Sequence, residues 1–488
     1  MISLLAILLS VLSFGEKWVS VSYSDNKYTV KDSKDTSMMA YVRFQNIASS
    51  TGWGKIEGFM SSNVDSDIAA RCLGYAEGYL TQTLIDDFFQ NIQDYISSLS
   101  PANNIDSEVK TWMKTNHDYV DAISQHADND FRKDAAMIYN QFKGMYDGYA
   151  AASGSNPIFD EDTFYLLESL NDLTDVMNKY DNKNDDTTLK RYDQIIEQCH
   201  SSGFLKLTPL KTEFYLAHST KFTYGAMLRL KKTYHYQTPQ QKKVDVFMTS
   251  YPGLVSSTDN FLTTSNDLAI ADSTLAVLNH TLYDSITTDG FPSWVRVMAS
   301  AVGAADAPSF VSSVHTDTTH THTAQIVCVD YKKIHDDAAL KKGLPKDTAV
   351  LVELYPGGAE QLDLAEEINK HHFFSMHNTP HSSALYASLG LKAAVAAQAD
   401  AKFFFSNTEN TRCKQYADLN HQIFDLATAE AAIRHNNYKG DSSTQSPLGH
   451  ARDAGAAVAA RYELREHTGD AAMPARALGA IDGKVCAV

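Results

Sequence analysis

Two stretches, Glu197-Gln198-Cys199-His200-Ser201-Ser202-Gly203-Phe204-Leu205-Lys206-Leu207 and Phe214-Tyr215-Leu216-Ala217-His218-Ser219-Thr220, flank a turn at Thr208-Pro209. The apolar runs Gly203 to Leu207 and Glu213 to Ala217 read as two strands of a hairpin. Just upstream, Asp181 to Lys190 (DNKNDDTTLK) is polar and nearly free of apolar residues, as a solvated loop requires. A hydroxyl or thiol at the head of a strand behind such a loop can attack the carbonyl of its own preceding residue. Hydrolysis of the resulting ester cuts the chain, and the freed α-amine, with a reference pKa of about 7.7–8.0, then serves as base for the same side chain. Ser201 and Cys199 are the nucleophiles in this position, and His218, after the second strand, comes alongside the start of the first. The same residues also fit a Ser-rich turn leading into an ordinary hairpin, with His218 a hydrogen-bonded histidine at a strand end.

Outward from this junction the hydrophobic period changes twice. Met39 to Ile47 and Trp53 to Phe59 read as strands around the turn Ser49 to Gly52, so a hairpin is expected to open the mature chain. From Asp65 the apolar positions Ile68, Cys72, Ala76, Tyr79, Leu80 and Leu84 follow helical spacing behind the capping candidates Asn63, Asp65 and Ser66. Further helices are predicted near 107–124, 129–151 and 161–179. Beyond the junction, Val244 to Ser250, Leu268 to Leu278, Gln325 to Tyr331 and Ala349 to Leu354 read as strands, 384–401 and 424–434 as helices, and Thr468 to Val488 as an extended tail. Strands in both halves with helices gathered between them predict a layered α+β sandwich. An isolated hairpin is marginal in water, so strands 38–59 should share a core with those after Gly203.

The chain of 488 residues carries 42 Lys and Arg against 59 Asp and Glu, a net charge of −17, which disfavours a nucleic acid partner. The apolar run Ile2 to Phe14 is too short to span a bilayer and has the length of a signal-peptide core, with Ser13 and Gly15 at a small-x-small cleavage site; residues 1–15 are read as a signal peptide. No later run approaches the length of a transmembrane segment, so a protein in an exported compartment is expected. Cys72, Cys199, Cys328, Cys413 and Cys486 are an odd number scattered along the chain, which is no disulfide framework. Asn279-His280-Thr281 is a glycan acceptor pattern at Asn279. His315, His320 and His322, and the group His371, His372, His377 and His381, lack metal-site spacing, and neither phosphate-binding glycine loops nor a G-x-S-x-G elbow is present. No metal and no cofactor are expected.

Several segments carry a resemblance: Tyr41-Val42-Arg43-Phe44-Gln45-Asn46, Gly74-Tyr75-Ala76-Glu77-Gly78-Tyr79-Leu80-Thr81, Ser256-Ser257-Thr258-Asp259-Asn260-Phe261, Ser293-Trp294-Val295-Arg296-Val297, Val329-Asp330-Tyr331-Lys332 and Ala480-Ile481-Asp482-Gly483-Lys484-Val485. In this order, nearly end to end, they resemble the phospholipase B-like, or laminin-ancestor, family. The resemblance implies the four-layer αββα sandwich of N-terminal nucleophile hydrolases in a secreted or lysosomal/vacuolar protein. It further implies hydrolysis of acyl ester or amide bonds in lipid-like or N-acyl substrates. Self-cleavage would yield fragments 16–200 and 201–488, held together by one core. The family's processed fragment starts with Cys, Ser, a small residue, two apolar residues and Lys. The frame that keeps Lys206 puts Ser201 in the nucleophile's place, whereas a two-residue insertion would restore Cys199.

Two departures from the family pattern bear on catalysis. The family's His-Asn-Thr-Trp reads His218-Ser219-Thr220-Lys221, and its Thr-Tyr-Asn-Asn-Gln reads Thr321-His322-Thr323-Ala324-Gln325. The amides expected at the oxyanion hole are therefore replaced, which leaves Thr323 and backbone N–H groups for that task; losing one such donor typically costs about 10²–10³ in turnover. The resemblance thus supports two expectations, a slow self-processed hydrolase and a member that keeps the fold as a lumenal lipid-binding protein without turnover.

Overall fold

The computed structural model describes residues 16–99, 105–154, 157–181, 187–335, 337–449, 452–464 and 478–487. The expected signal peptide, part of the polar loop and the start of the expected tail lie outside the described residues. Fifteen strands are described: β1 (Glu16–Ser24), β2 (Lys27–Lys31), β3 (Ala40–Gln45), β4 (Gly54–Met60), β5 (Ser202–Leu207), β6 (Phe214–Thr223), β7 (Leu230–Gln237), β8 (Lys243–Ser250), β9 (Leu262–Thr264), β10 (Leu268–Thr274), β11 (Ala324–Asp330), β12 (Ala349–Tyr355), β13 (Gly358–Asp363), β14 (Phe373–Met376) and β15 (Leu478–Ala487). They form an eleven-stranded sheet in the order β13-β12-β11-β10-β9-β8-β7-β4-β3-β1-β2 and a four-stranded sheet in the order β14-β5-β6-β15.

The α+β class is what the alternation of periods predicts. The early strands join the late ones through β4 and β7, which pair in parallel with Gly54 opposite Leu230 and Phe59 opposite His235. All other strand pairs are antiparallel. One core face follows from the period of two along β5 and β6. Leu205, Leu207, Phe214 and Leu216 meet Ala269, Ala271, Val327, Val329 and Leu351 of the large sheet. The alternate residues Phe204, Tyr215 and Ala217 turn outward to Tyr416, Leu419, Ile423 and Ile433 on the helical segments beyond. On the far side of the large sheet, Ile270, Ile326 and Val352 pack in the largest cluster with Phe88, Met137, Phe142 and Trp294 of the helices.

The Gly-Tyr-x-Glu-Gly motif has a packing cause. Helix Ser66–Leu99 crosses helix Asp130–Ala152 so closely that a Cβ on Gly74 would fall 1.9 Å from the Gln141 carbonyl oxygen and one on Gly78 2.1 Å from that of Met145. Gly144 and Gly148 face the Arg71 and Tyr75 carbonyls as closely from the opposite side. Glu77, carried between the motif glycines, is fully buried and takes Lys232 Nζ at 2.7 Å and the Tyr234 hydroxyl at 2.6 Å, both from β7.

Several sequence expectations are corrected. The described chain opens with the β1–β2 hairpin, ahead of the strands read at 38–59. β7 is a further strand, whose apolar pattern Lys231 and Lys232 interrupt; Lys232 is buried with Glu77 and the Leu254 carbonyl as its partners. β10 ends at Thr274 instead of Leu278. The predicted helix 161–179 is broken at Ser169 into Glu161–Glu168 and Leu170–Lys179, and the late helix 384–401 is broken at Gly390, whose φ is +84°. Helix Leu189–Gln198, capped by Thr188, begins within the polar stretch read as loop. His218 is not at a strand end: β6 continues to Thr223, because β15 pairs with it through Thr223 while β5 pairs with it as far as Ser219.

Candidate active site

Helix Leu189–Gln198 ends against β5, and the three residues between them make the sharpest backbone feature of the region. Cys199 caps the helix, and Ser201 takes φ +64°, in the left-handed region that non-glycine residues rarely enter. β5 starts at the next residue, so Ser201 stands immediately before the strand. Both candidates are buried, Cys199 at 4% and Ser201 at 3% exposure.

The backbone on either side of Ser201 is gripped from β10 and from the loop after β14. The His200 carbonyl accepts from Thr274 N–H at 3.2 Å, Thr274 Oγ1 at 3.2 Å and Asn378 Nδ2 at 3.1 Å. The His200 N–H in turn donates to Thr274 Oγ1 at 2.5 Å. The Ser201 carbonyl accepts from Ser273 Oγ at 3.2 Å and Asn378 Nδ2 at 3.1 Å. Asn378 is wholly buried at φ +69°, and Arg412 Nη1 donates to its Oδ1, which fixes the amide with its nitrogen toward the two carbonyls. Arg412 is itself anchored on the Ala457 carbonyl through Nε at 3.1 Å and the Gly455 carbonyl through Nη2 at 3.2 Å.

A peptide carbonyl surrounded by three donors is polarised before any reaction, and negative charge developing on its oxygen would be stabilised where it forms. The residue after that carbonyl is Ser201. Cys199 sits two residues earlier, and burial pushes its thiol up to about 11, with Lys221, Arg412 and a Thr274 hydrogen bond pulling the other way. A thiol so raised is almost wholly protonated near neutrality.

Cys199 and His200 instead line a small open pocket together with Asp175, Tyr283, His322 and Thr323. Thr323 thus comes close to the junction, but its N–H and its hydroxyl both donate to Asp175 Oδ2 at 2.8 Å. Asp175 is raised to about 6, chiefly by burial. His218 stands in mid-strand opposite Gly203, with Ser219 opposite Ser202. Its Nε2 lies 3.0 Å from the Asp272 carbonyl and its Nδ1 3.4 Å from Thr220 Oγ1. Burial, aided by Lys484, pushes His218 down to about 3, so it is a neutral imidazole whose Nε2–H donates to Asp272. Nearby, Lys484 Nζ from β15 is held by Asp259 and Asp482, each at 2.7 Å.

Asn279 is half-buried on the surface side, with Thr281 Oγ1 donating to its Oδ1 at 2.8 Å and its Nδ2 donating to the Ser388 carbonyl at 3.0 Å. Sequence reasoning missed Asn378, Arg412, Ser273 and Thr274. Neither an apolar period nor a motif marks them, since the Asn and the Arg lie 34 residues apart and meet only through the fold. The nearest signal is the run of polar residues after the short strand β14, in which His377 and His381 stand out and Asn378 does not.

The α+β chain thus places a buried serine directly before a strand of the smaller sheet, with the preceding carbonyl in a cradle of donors. The phospholipase B family model matches residues 40–488, and the chain belongs to this family. Phospholipase B-like protein B of Dictyostelium discoideum is 25% identical over 475 residues, covering 95% of this chain and 79% of that protein. Phospholipase B of Crotalus adamanteus is 25% identical over 431 residues, 86% of this chain and 76% of its own length. Phospholipase B-like 1 of Rattus norvegicus is 25% identical over 413 residues, 82% of this chain and 72% of its own length. Among the described residues no helix is long and apolar enough to cross a membrane.

Proposed function

We propose that this chain is a lipid-directed acyl hydrolase with the four-layer αββα architecture of N-terminal nucleophile hydrolases. In this reading it is activated by cutting itself between His200 and Ser201. The observation that carries it is the His200 carbonyl, held by three donors directly before a left-handed Ser201 at the head of β5. Attack by Ser201 Oγ on the His200 carbonyl carbon forms an ester as the His200–Ser201 C–N bond breaks. The hydroxyl proton passes to the departing nitrogen, which becomes the Ser201 α-amine, and water then hydrolyses the ester to free the His200 carboxylate and restore the hydroxyl. In the mature form that amine is the base for Ser201, and an ester or amide carbonyl of the substrate takes the place His200 has left. Asn378, with Ser273 and Thr274 beside it, supplies donors that the replaced positions Thr323 and Ala324 do not.

Cys199 is the alternative nucleophile, but the three donors surround the His200 carbonyl, which precedes Ser201 and follows Cys199. His218 serves as a neutral hydrogen-bonded support facing the strand head, and Thr323 as a wall of the adjoining cavity. Names of the relatives, phospholipase B and phospholipase B-like, support a phospholipid substrate, with an N-acyl substrate as the alternative. A signal peptide at 1–15, secretion or delivery to an acidic lumen, and a glycan at Asn279 complete the reading, with fragments 16–200 and 201–488 staying associated through the shared sheets.

The test is intact mass and N-terminal sequencing of secreted, purified protein. Wild type and Cys199→Ala should give a new N-terminus at Ser201, and Ser201→Ala a single uncut chain. Wild-type protein that stays one chain after maturation in an acidic lumen would remove self-activation and favour a lipid-binding protein without turnover.

A further inference from the structure

His322 occupies a position whose side chain neither the fold nor the cleavage chemistry above has used. It sits just before β11 at φ +66°, 1% exposed, where the family pattern carries Tyr. Its neighbours are pinned on both sides: Arg296 Nη2 donates to the Thr321 carbonyl at 3.0 Å, and Thr323 N–H donates to Asp175. A left-handed non-glycine residue held this firmly is kept in place by its surroundings against its own backbone preference. The ring reaches Asp272 Oδ2 through Nε2 at 2.8 Å and the Asn171 carbonyl through Nδ1 at 3.4 Å. The Asp272 carboxylate and the Asn171 carbonyl are acceptors, so these two contacts are both hydrogen bonds only when the ring carries two protons; Asn260 Nδ2, 3.2 Å from Nε2, has its shorter contact with Asp272 Oδ2 at 2.6 Å.

Asp272 also receives Asn260 Nδ2 on the same oxygen at 2.6 Å, and its carbonyl receives His218. It is directly followed on β10 by Ser273 and Thr274, the residues that grip the Ser201 and His200 carbonyls. We propose that His322 is a positioning residue of the cleavage site: through Asp272 it fixes the end of β10, and thereby the geometry of the His200–Ser201 peptide. The proposal rests on the reading that this peptide is the bond cut.

The grip should depend on pH. The charged and titratable groups facing His322 are Asp272 on β10, Asp172 and Asp175 on helix Leu170–Lys179, Arg296 on helix Ser293–Gly303, and His200 beyond helix Leu189–Gln198. Burial and Arg296 oppose its charge, but the hydrogen bond and charge of Asp272, with Asp172 beyond, outweigh them and hold His322 above the usual histidine value. A raised folded-state pKa means that the stabilisation is complete below the ordinary value and is lost as pH rises through the raised one. The site should therefore be tightest in an acidic compartment and loosen above neutrality.

Hydrogen exchange on the Ser201→Ala chain, which keeps the peptide intact, tests this. Protection of the peptide containing the His200 amide, corrected for intrinsic exchange, is followed from acidic to mildly alkaline pH. With His322 present, protection should fall as pH rises, up to tenfold for each unit by which the gripped pKa exceeds the released one. His322→Gln keeps an N–H for Asp272 but cannot titrate, so its profile should be flat. Asp272→Asn provides a second flat variant should the first fold poorly. Equal pH slopes with and without His322, or no slope in either, would overturn the positioning role. The rate of self-cleavage in the Ser201 chain, read by intact mass, separates the two readings. A wild type that never cuts while exchange behaves as expected removes the cleavage reading and leaves the positioning role. Cutting accompanied by a pH-indifferent grip does the reverse.

Discussion

Replacing Asn378 by Gly is the sharpest challenge to the donor cradle. At φ +69° the backbone suits glycine, so Asn378→Gly removes the amide without adding strain, whereas Ala would add about 1–2 kcal/mol from its Cβ. The Nδ2 group carries two protons shared among four acceptors: the carbonyls of His200, Ser201 and Thr274 and the Ser273 hydroxyl, at 2.8–3.1 Å. After its loss the His200 carbonyl keeps both Thr274 donors and the Ser201 carbonyl keeps Ser273, but Arg412 Nη1 loses its Oδ1 partner in a buried setting. Each buried group so deprived costs about 1–3 kcal/mol, which for the guanidinium and one weakened carbonyl predicts a loss of about 3–5 kcal/mol in stability. Loss of one donor of three on the reacting carbonyl predicts a fall of about 10²–10³ in the rate of chain cutting. Asn378→Asp keeps an oxygen for Arg412 while facing the two carbonyls with a second oxygen, so it should regain part of the stability and none of the rate. Stability is read by urea unfolding and cutting by a time course of intact mass. A folded Asn378→Gly protein that cuts at the wild-type rate would refute the cradle as the source of activation.

Two further outcomes test the framework around the site. Gly148→Ala would put a Cβ 2.1 Å from the Tyr75 carbonyl oxygen, forcing the two long helices apart, and should cost about 3 kcal/mol in thermal or urea denaturation; a neutral result would mean the crossing is looser than described. Lys484→Met would leave Asp259 and Asp482 buried together without their cation, a loss of about 3–5 kcal/mol. Protonation removes the uncompensated charge, so this deficit should be largest above neutrality and shrink as pH falls, and a deficit independent of pH would show that Lys484 acts by packing alone.

Hydrophobic period and residue order determined a good deal by themselves. The apolar runs Gly203 to Leu207 and Glu213 to Ala217 marked a hairpin, whose two faces meet the second sheet and the late helices in the structure. Helical spacing from Ile68 marked the long helix, and the order of motifs marked the family. These are local signals, carried by neighbouring residues. The preference for Ser201 over Cys199 likewise comes from local register, since it is counted back from Lys206 on β5, which starts at the residue after Ser201. What decides the site is non-local. Asn378 reaches the His200 carbonyl across 178 residues, Arg412 reaches Asn378, and His322 reaches Asp272 across 50. No period connects such residues, because their contacts arise only when β10, β11 and the loop after β14 converge on the head of β5. Burial likewise inverts what sequence suggests. His-Ser-Thr-Lys looks like the end of a strand in isolation, and it is β15, paired along its whole length, with β5 beside His218 and Ser219, that satisfies its backbone and carries β6 through it.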